Sequence, residues 1–236
     1  MEQKTTALVV ADISGYTRFV LKNRAHWAHA QLIISELLAQ IVGTGEPTLR
    51  LEKLEGDAAF FVESAPNKAD DSIATRIETM FEGFATTLRQ MVDSNGCPCE
   101  ACEGIGDLRL KVVVHRGEVI DQEIAGRQEV SGVAVIIAHR LLKNSITSNH
   151  YLLFTDEALD VSTRGTDALE RGSIEDPDLG SIPYWLHYPS DPLGMNPPVK
   201  VSWLVRKMKA MWLMIRSMPL LLGSKGRSAF TASLEE

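Results

Sequence analysis

The sequence predicts an α+β domain built on a β-α-β-β-α-β order, and three stretches carry that expectation. Residues 8–13 form an apolar run interrupted only by Asp12, which reads as a strand buried on both faces. Residues 49–54 and 58–62 flank Gly56 and Asp57, so they read as two strands of a hairpin with a glycine-aspartate turn. Between residues 70 and 92, Ile73, Ile77, Phe81, Phe84, Leu88 and Met91 recur every three or four positions, the period of a helix with one buried face.

The remaining elements follow in chain order. Thr17 is placed to cap a long helix whose buried stripe includes Ile34, Leu37, Leu38 and Ile41. Residues 108–114 read as another buried strand and 117–124 as a separate strand after it. A helix is expected over 133–143. Closing strands are expected at 151–154 and 182–187, separated by a loop rich in Asp, Gly and Pro. The whole is expected to form two layers. Residues 189–198 carry repeated prolines and read as a linker, which divides a body, 1–188, from a tail, 199–236.

Composition narrows the function classes. The chain of 236 residues has a formal charge of −7, yet Lys200, Arg206, Lys207, Lys209, Arg216, Lys225 and Arg227 meet no acid before Glu235. The body is therefore more acidic than the whole, which argues against a nucleic-acid partner, while the basic tail suits an anionic surface. The N-terminus runs straight into a short apolar strand without the pattern of a secretion signal, so the body is expected in the cytoplasm. All three cysteines, Cys97, Cys99 and Cys102, lie within six residues, a poor basis for a disulfide framework and compatible with a reducing compartment.

Two carboxylates stand out because each sits beside a glycine turn at the edge of an apolar strand: Asp12 in AspIleSerGlyTyrThr and Asp57 in LysLeuGluGlyAspAla. Such a pair can share divalent ions at a nucleotide triphosphate. Taken singly, each also fits an ordinary turn aspartate. With ValValHisArgGlyGluVal from Val113 and AlaHisArgLeu from Ala138, these segments resemble, in order and spacing, class III nucleotide cyclase catalytic domains, over about residues 8–188. The resemblance looks closest to bacterial cyclase-like domains with a cysteine insertion, here about 94–107.

That resemblance implies a ferredoxin-like core and a site composed at a homodimer boundary. Asp12, the Ile13 carbonyl and Asp57 match the ligands of two Mg or Mn ions. Ser14, Gly15, Tyr16 and Thr17 match the loop that cradles the β and γ phosphates. Lys53 and Glu129 match the pair that reads adenine, which favours ATP over GTP, and Arg140 matches the arginine that stabilises charge on the transferring phosphoryl group. Two departures stand against it. Ile136 replaces an asparagine that orients the ribose, and no lysine for the terminal phosphates precedes Ile182. The implied activity is formation of cyclic AMP and pyrophosphate. The competing class is a catalytically degenerate cyclase-homology module that binds a nucleotide, or nothing, and acts as a dimerising signalling partner.

Outside the resemblance, Lys53 reads as a strand-edge lysine, Glu129 as a loop acid and Arg140 as a partner for a neighbouring acid. His115 and His139 read as hydrogen-bonded structural histidines. Cys97, Cys99 and Cys102 suit a tetrahedral zinc that needs one more ligand, or are three reduced thiols. In the tail, Trp203, Leu204, Met208, Met211, Ile215 and Met218 share one helical face opposite Arg206, Lys209 and Arg216. Over 199–227 that pattern suits an amphipathic helix lying on an anionic membrane surface or packed on protein, and its charges are too closely spaced for a spanning helix.

Overall fold

The computed structural model describes residues 2–22, 27–64, 72–94, 99–162 and 169–191, together with Met208 and Met211. Its core is one mixed sheet of eight strands. The strands are β1 (Glu2–Ser14), β2 (Leu49–Glu55), β3 (Ala58–Glu63), β4 (Arg109–Ile124), β5 (Arg127–Ser131), β6 (Tyr151–Thr155), β7 (Glu170–Asp176) and β8 (Gly180–His187). They lie in the order β2-β3-β1-β4-β6-β8-β7, with β5 pairing the far end of β4. The helices are α1 (Tyr16–Lys22), α2 (Trp27–Gly45), α3 (Ile73–Ser94), α4 (Glu100–Glu103), α5 (Val133–Leu142) and α6 (Leu159–Ser162).

The central position of β1 follows from its composition. Ala7, Leu8, Val9, Val10, Ala11 and Ile13 are fully buried, and successive residues pack into different cores. Val9, Ala11 and Ile13 join Ile34, Leu37, Ile41, Ile77 and Phe84 of α2 and α3. Leu8 and Val10 face the other way, onto Ala134 and Ala138 of α5. A strand packed on both faces needs the continuous apolar run that the sequence displays. It also means that α5 adds a partial third layer, where two layers were expected.

Several boundaries differ from expectation. Helix α1 begins at Tyr16, so Thr17 lies inside its first turn rather than capping a long helix, and α2 is a separate element. Residues 109–124 form one strand rather than two, because β1 pairs along its length from Glu2↔Asp121 to Ser14↔Arg109, and a long partner carries a strand past a glycine such as Gly117. The segment containing Glu129 is strand β5, not a loop. The supposed loop after residue 172 is the β7–β8 hairpin, whose turn is organised by Asp176 accepting hydrogen bonds from the backbone N–H groups of Asp178 and Leu179 at 3.0 and 3.1 Å. Aspartate, proline and glycine marked that turn correctly, and β8 matches the strand expected at 182–187; β7 was hidden by its polar residues. The tail helix falls on residues outside those described, apart from Met208 and Met211, and none of the helices described is long and apolar enough to cross a membrane.

Candidate functional site

Antiparallel pairing brings three chemically active side chains to one end of the sheet. Asp12 stands opposite Ala58 in β3 and opposite Lys111 in β4. Just beyond, the Ile13 N–H donates to the carbonyl of Asp57 at 3.1 Å, which fixes the β2–β3 turn against the end of β1. Asp57 is thereby held beside Asp12, two carboxylates separated by 45 positions in sequence. Lys111 Nζ lies 2.8 Å from Asp12 Oδ2, and both side chains are largely buried.

The electrostatics follow from this crowding. Burial and the neighbouring Asp12 carboxylate push the Asp57 carboxyl up to about 6. Lys111 shows the opposite balance: burial alone would lower its pKa, but the hydrogen bond and charge of Asp12 outweigh that and raise it. One ammonium thus faces two carboxylates, which leaves net negative charge in a half-buried place. All the anionic donors there are oxygens, a set suited to a hard divalent cation such as Mg or Mn rather than to a thiophilic metal. The residues present therefore fit the ions expected from the sequence.

Beside them opens a cavity of about 500 Å³. Its wall includes Asp12, Ile13, Ser14, Gly15, Tyr16 and Thr17, together with Lys22, Asp57, Asp107, Lys111 and Asn149. Gly15 makes the entry to α1 feasible. Its φ of +91° suits glycine, and its carbonyl accepts the first helical hydrogen bond from Phe19 at 2.9 Å. The loop predicted to meet phosphates and the two predicted metal carboxylates are therefore in one place.

Lys53, Glu129 and Arg140 do not line this cavity. Lys53 pairs with Glu55 at 2.7 Å, and its pKa is raised by that hydrogen bond first and by the nearby charges of Glu55, Glu129 and Glu52 after the opposing effect of burial. His139 joins this group, with Nδ1 3.5 Å from Glu55 and its ring against Phe60; burial lowers its pKa. Arg140 reaches Asp176 at 3.4 Å and Asp178 at 3.6 Å. The sequence-predicted residues thus divide, within one chain, between a carboxylate cavity and a second surface formed by β2, β5 and α5.

Lys111 was missed in the sequence. Two cations within residues 108–114, Arg109 and Lys111, in a run otherwise read as buried, were the available signal, since a charge in such a strand needs a partner. At the cysteine run, Cys99 and Cys102 meet His29 of α2, a contact the sequence did not suggest. Cys97 lies outside the described residues.

Comparison with known proteins adds the following. The model of a family described as "Protein of unknown function (DUF2652)" matches residues 34–151. An uncharacterized protein of Mycobacterium tuberculosis, Rv2561/Rv2562, is 36% identical over 134 residues, which cover 56% of this chain and 62% of that relative's length. Among solved structures, the catalytic core of a rhodopsin-guanylyl cyclase with converted specificity, in complex with ATPαS, is similar with a TM-score of 0.57 at 16% identity, covering 79% of this chain and 99% of that one. The guanylate cyclase domain of RhGC from Catenaria anguillulae, in complex with GTP, gives 0.56 at 15% identity, covering 80% and 100%. A bacterial light-regulated adenylyl cyclase gives 0.60 at 14% identity, covering 88% and 58%. At such identities these likenesses establish the fold: a nucleotide cyclase catalytic-domain architecture.

Proposed function

From a chain that belongs to the DUF2652 family and has the fold of cyclase catalytic domains, we propose a divergent nucleotide cyclase-like protein that binds ATP with divalent metal ions at a homodimer boundary and forms cyclic AMP and pyrophosphate. The observation that carries this reading is the meeting of Asp12 and Asp57 at the mouth of the cavity walled by Ser14, Gly15, Tyr16 and Thr17. Bound divalent ions would supply charge neutralisation for the triphosphate and a lower pKa for the ribose 3′-hydroxyl. The 3′-oxygen would then attack the α-phosphorus, the bond to pyrophosphate would break, and the hydroxyl proton would pass to solvent.

The chain's own residues have separate tasks in this scheme. Asp12, Asp57 and the Ile13 carbonyl hold the ions, and the backbone of Ser14–Thr17 faces the β and γ phosphates. Lys111 pairs with Asp12 and would turn to the phosphates once metal competes for that carboxylate. Lys53 and Glu129 read adenine, and Arg140 stabilises the transferring phosphoryl group, all three from the second subunit. Exposed apolar side chains support such a dimer: Ile120 and Ile124 on β4, Leu54 on β2, and Val133 and Ile136 on α5. The reading takes 1–188 as a cytoplasmic body, 189–198 as a linker and 199–236 as a tail whose residues 199–227 meet an anionic membrane or pack on protein.

Incubation of the full chain with each of the four nucleoside triphosphates and Mn²⁺ or Mg²⁺, followed by chromatography of the products, tests the activity. Mixing Asp57→Asn chains with Arg140→Ala chains tests the composite site, because half of the heterodimer sites would then be intact. One observation favours the catalytically degenerate reading. Ile136 is half exposed one turn before Arg140 on α5 and offers no hydrogen bond to a ribose. Nucleotide binding without any cyclic product, under both metals, would select that reading.

A further inference from the structure

The cysteine run has a second half that the sequence conceals. His29, in the first turns of α2, and Cys99 and Cys102, on either side of the start of α4, place an imidazole nitrogen and two sulfurs within 4.8 Å of one another. We propose that His29, Cys99 and Cys102 bind a structural Zn²⁺ ion that clamps the segment 99–107 onto α2.

The geometry fits a tetrahedral ion. With a metal–sulfur bond of about 2.3 Å, a metal–nitrogen bond of about 2.0 Å and a tetrahedral angle, a sulfur and a nitrogen on one zinc stand about 3.5 Å apart. Cys99 Sγ and His29 Nδ1 are separated by 3.6 Å. Two thiolates with one imidazole form a soft donor set that selects zinc over Mg or Mn, which separates this place chemically from the all-oxygen pair at Asp12 and Asp57. A structural zinc takes four ligands. His29, Cys99 and Cys102 supply three of them. Cys99 is 8% exposed, poor access for a nucleophilic thiol but suitable for a ligand sealed in a structural site.

The fold also has a use for the ion. Helix α4 has four residues and is followed directly by a 3₁₀ turn, Gly104–Asp107, so neither is long enough to be held by its own backbone bonds. Ala101 and Ile105 are their buried apolar anchors. Yet this segment supplies Gly104 and Asp107 to the wall of the 500 Å³ cavity. A metal clip stabilises a short, poorly cored segment that a hydrophobic contact cannot fix alone. The ion would therefore hold one wall of the proposed nucleotide site without touching the nucleotide, so the clamp's link to binding rests on that reading while the metal site does not.

The test uses the full chain, purified under reducing conditions. Metal analysis is expected to give about one zinc per chain, released in step with thiol titration by an organomercurial and detected with a chromogenic chelator. Cobalt substitution is expected to give the visible bands and thiolate charge-transfer absorption of a tetrahedral site. His29→Ala and Cys102→Ser are each expected to lose most of the zinc, while Asp57→Asn keeps it and loses only the response to Mn²⁺ and ATP. Absence of zinc from wild-type protein grown with added zinc would overturn the proposal. So would iron with visible absorption, a Cys99–Cys102 disulfide in the reduced preparation, or zinc retained in folded His29→Ala. If the variants fail to fold, thiol-triggered zinc release from the wild type decides alone. A zinc-free chain that still responds to Mn²⁺ and ATP would remove this inference and leave the nucleotide reading standing.

Discussion

Replacing Asp57 by asparagine should make the metal-free protein more stable, although it removes a proposed ligand. Asp57 is half buried beside Asp12, and its carboxyl is raised from 3.8 to about 6. The native state therefore prefers the protonated form. The stability this contributes is complete below about pH 4 and is lost as pH rises through about 6. The interval sets a ceiling of about 3 kcal/mol on the cost of ionised Asp57 at neutral pH, and partial solvent access reduces that to about 1 to 1.5 kcal/mol. Asparagine keeps the shape without the charge. In a chain of this size Asp57→Asn should thus raise Tm by about 2 to 5 °C at about pH 8, in the presence of a chelator. The advantage should shrink to nothing below about pH 3, where wild-type Asp57 is protonated in both states. Thermal scans across pH, followed by near-ultraviolet circular dichroism, measure it. Addition of Mn²⁺ and ATP should then reverse the order, because only the wild type gains from a ligand that binds the native state. A variant no more stable than wild type at about pH 8, or equally favoured at low pH, would refute the view that two crowded carboxylates are held in readiness for a cation.

Lys111→Met should act in the opposite direction: with Asp12 deprived of its 2.8 Å partner, stability at neutral pH should fall by about 2 kcal/mol in denaturant titrations, and nucleotide affinity should fall with it. The double variant with Asp12→Asn should recover most of the stability but none of the affinity. Gly15→Ala should cost about 1 kcal/mol, because φ is +91° while the nearest atom to an added Cβ, the Asp107 carbonyl oxygen, is at an ordinary 3.5 Å; a Tm unchanged in calorimetry would show that the loop relaxes freely. Ile136→Asn should raise turnover of a weakly active enzyme with little change in ATP affinity, since a ribose contact acts on orientation; unchanged kcat in the folded variant would argue against that alignment of α5.

Much of this molecule was legible before any coordinates. Hydrophobicity over residues 8–13, interrupted only by Asp12, announced a strand covered on both sides, and the helical period from Ile73 to Met91 announced α3, because burial of a face imposes its period on the sequence. The glycine-aspartate turns at Asp12 and Asp57 were visible for a similar reason: a chain that reverses beside a strand end needs particular backbone angles and small polar groups. These local demands are written in neighbouring residues.

Pairings were not written there. That Lys111 stands across from Asp12 depends on the register of β1 against β4, and that Asp57 reaches the same corner depends on a single hydrogen bond from Ile13 to its carbonyl. Likewise His29 lies 70 residues from Cys99 and meets it because α2 packs against the short helix α4. Strands β5 and β7 were concealed because edge positions carry polar residues that pattern alone cannot tell from loop. The sequence by itself therefore determined which segments are buried, where the chain turns and which chemical groups are available. The tertiary structure alone decided which groups meet, because long-range register and packing angles arise from the sum of many contacts and leave no periodic mark on any one segment.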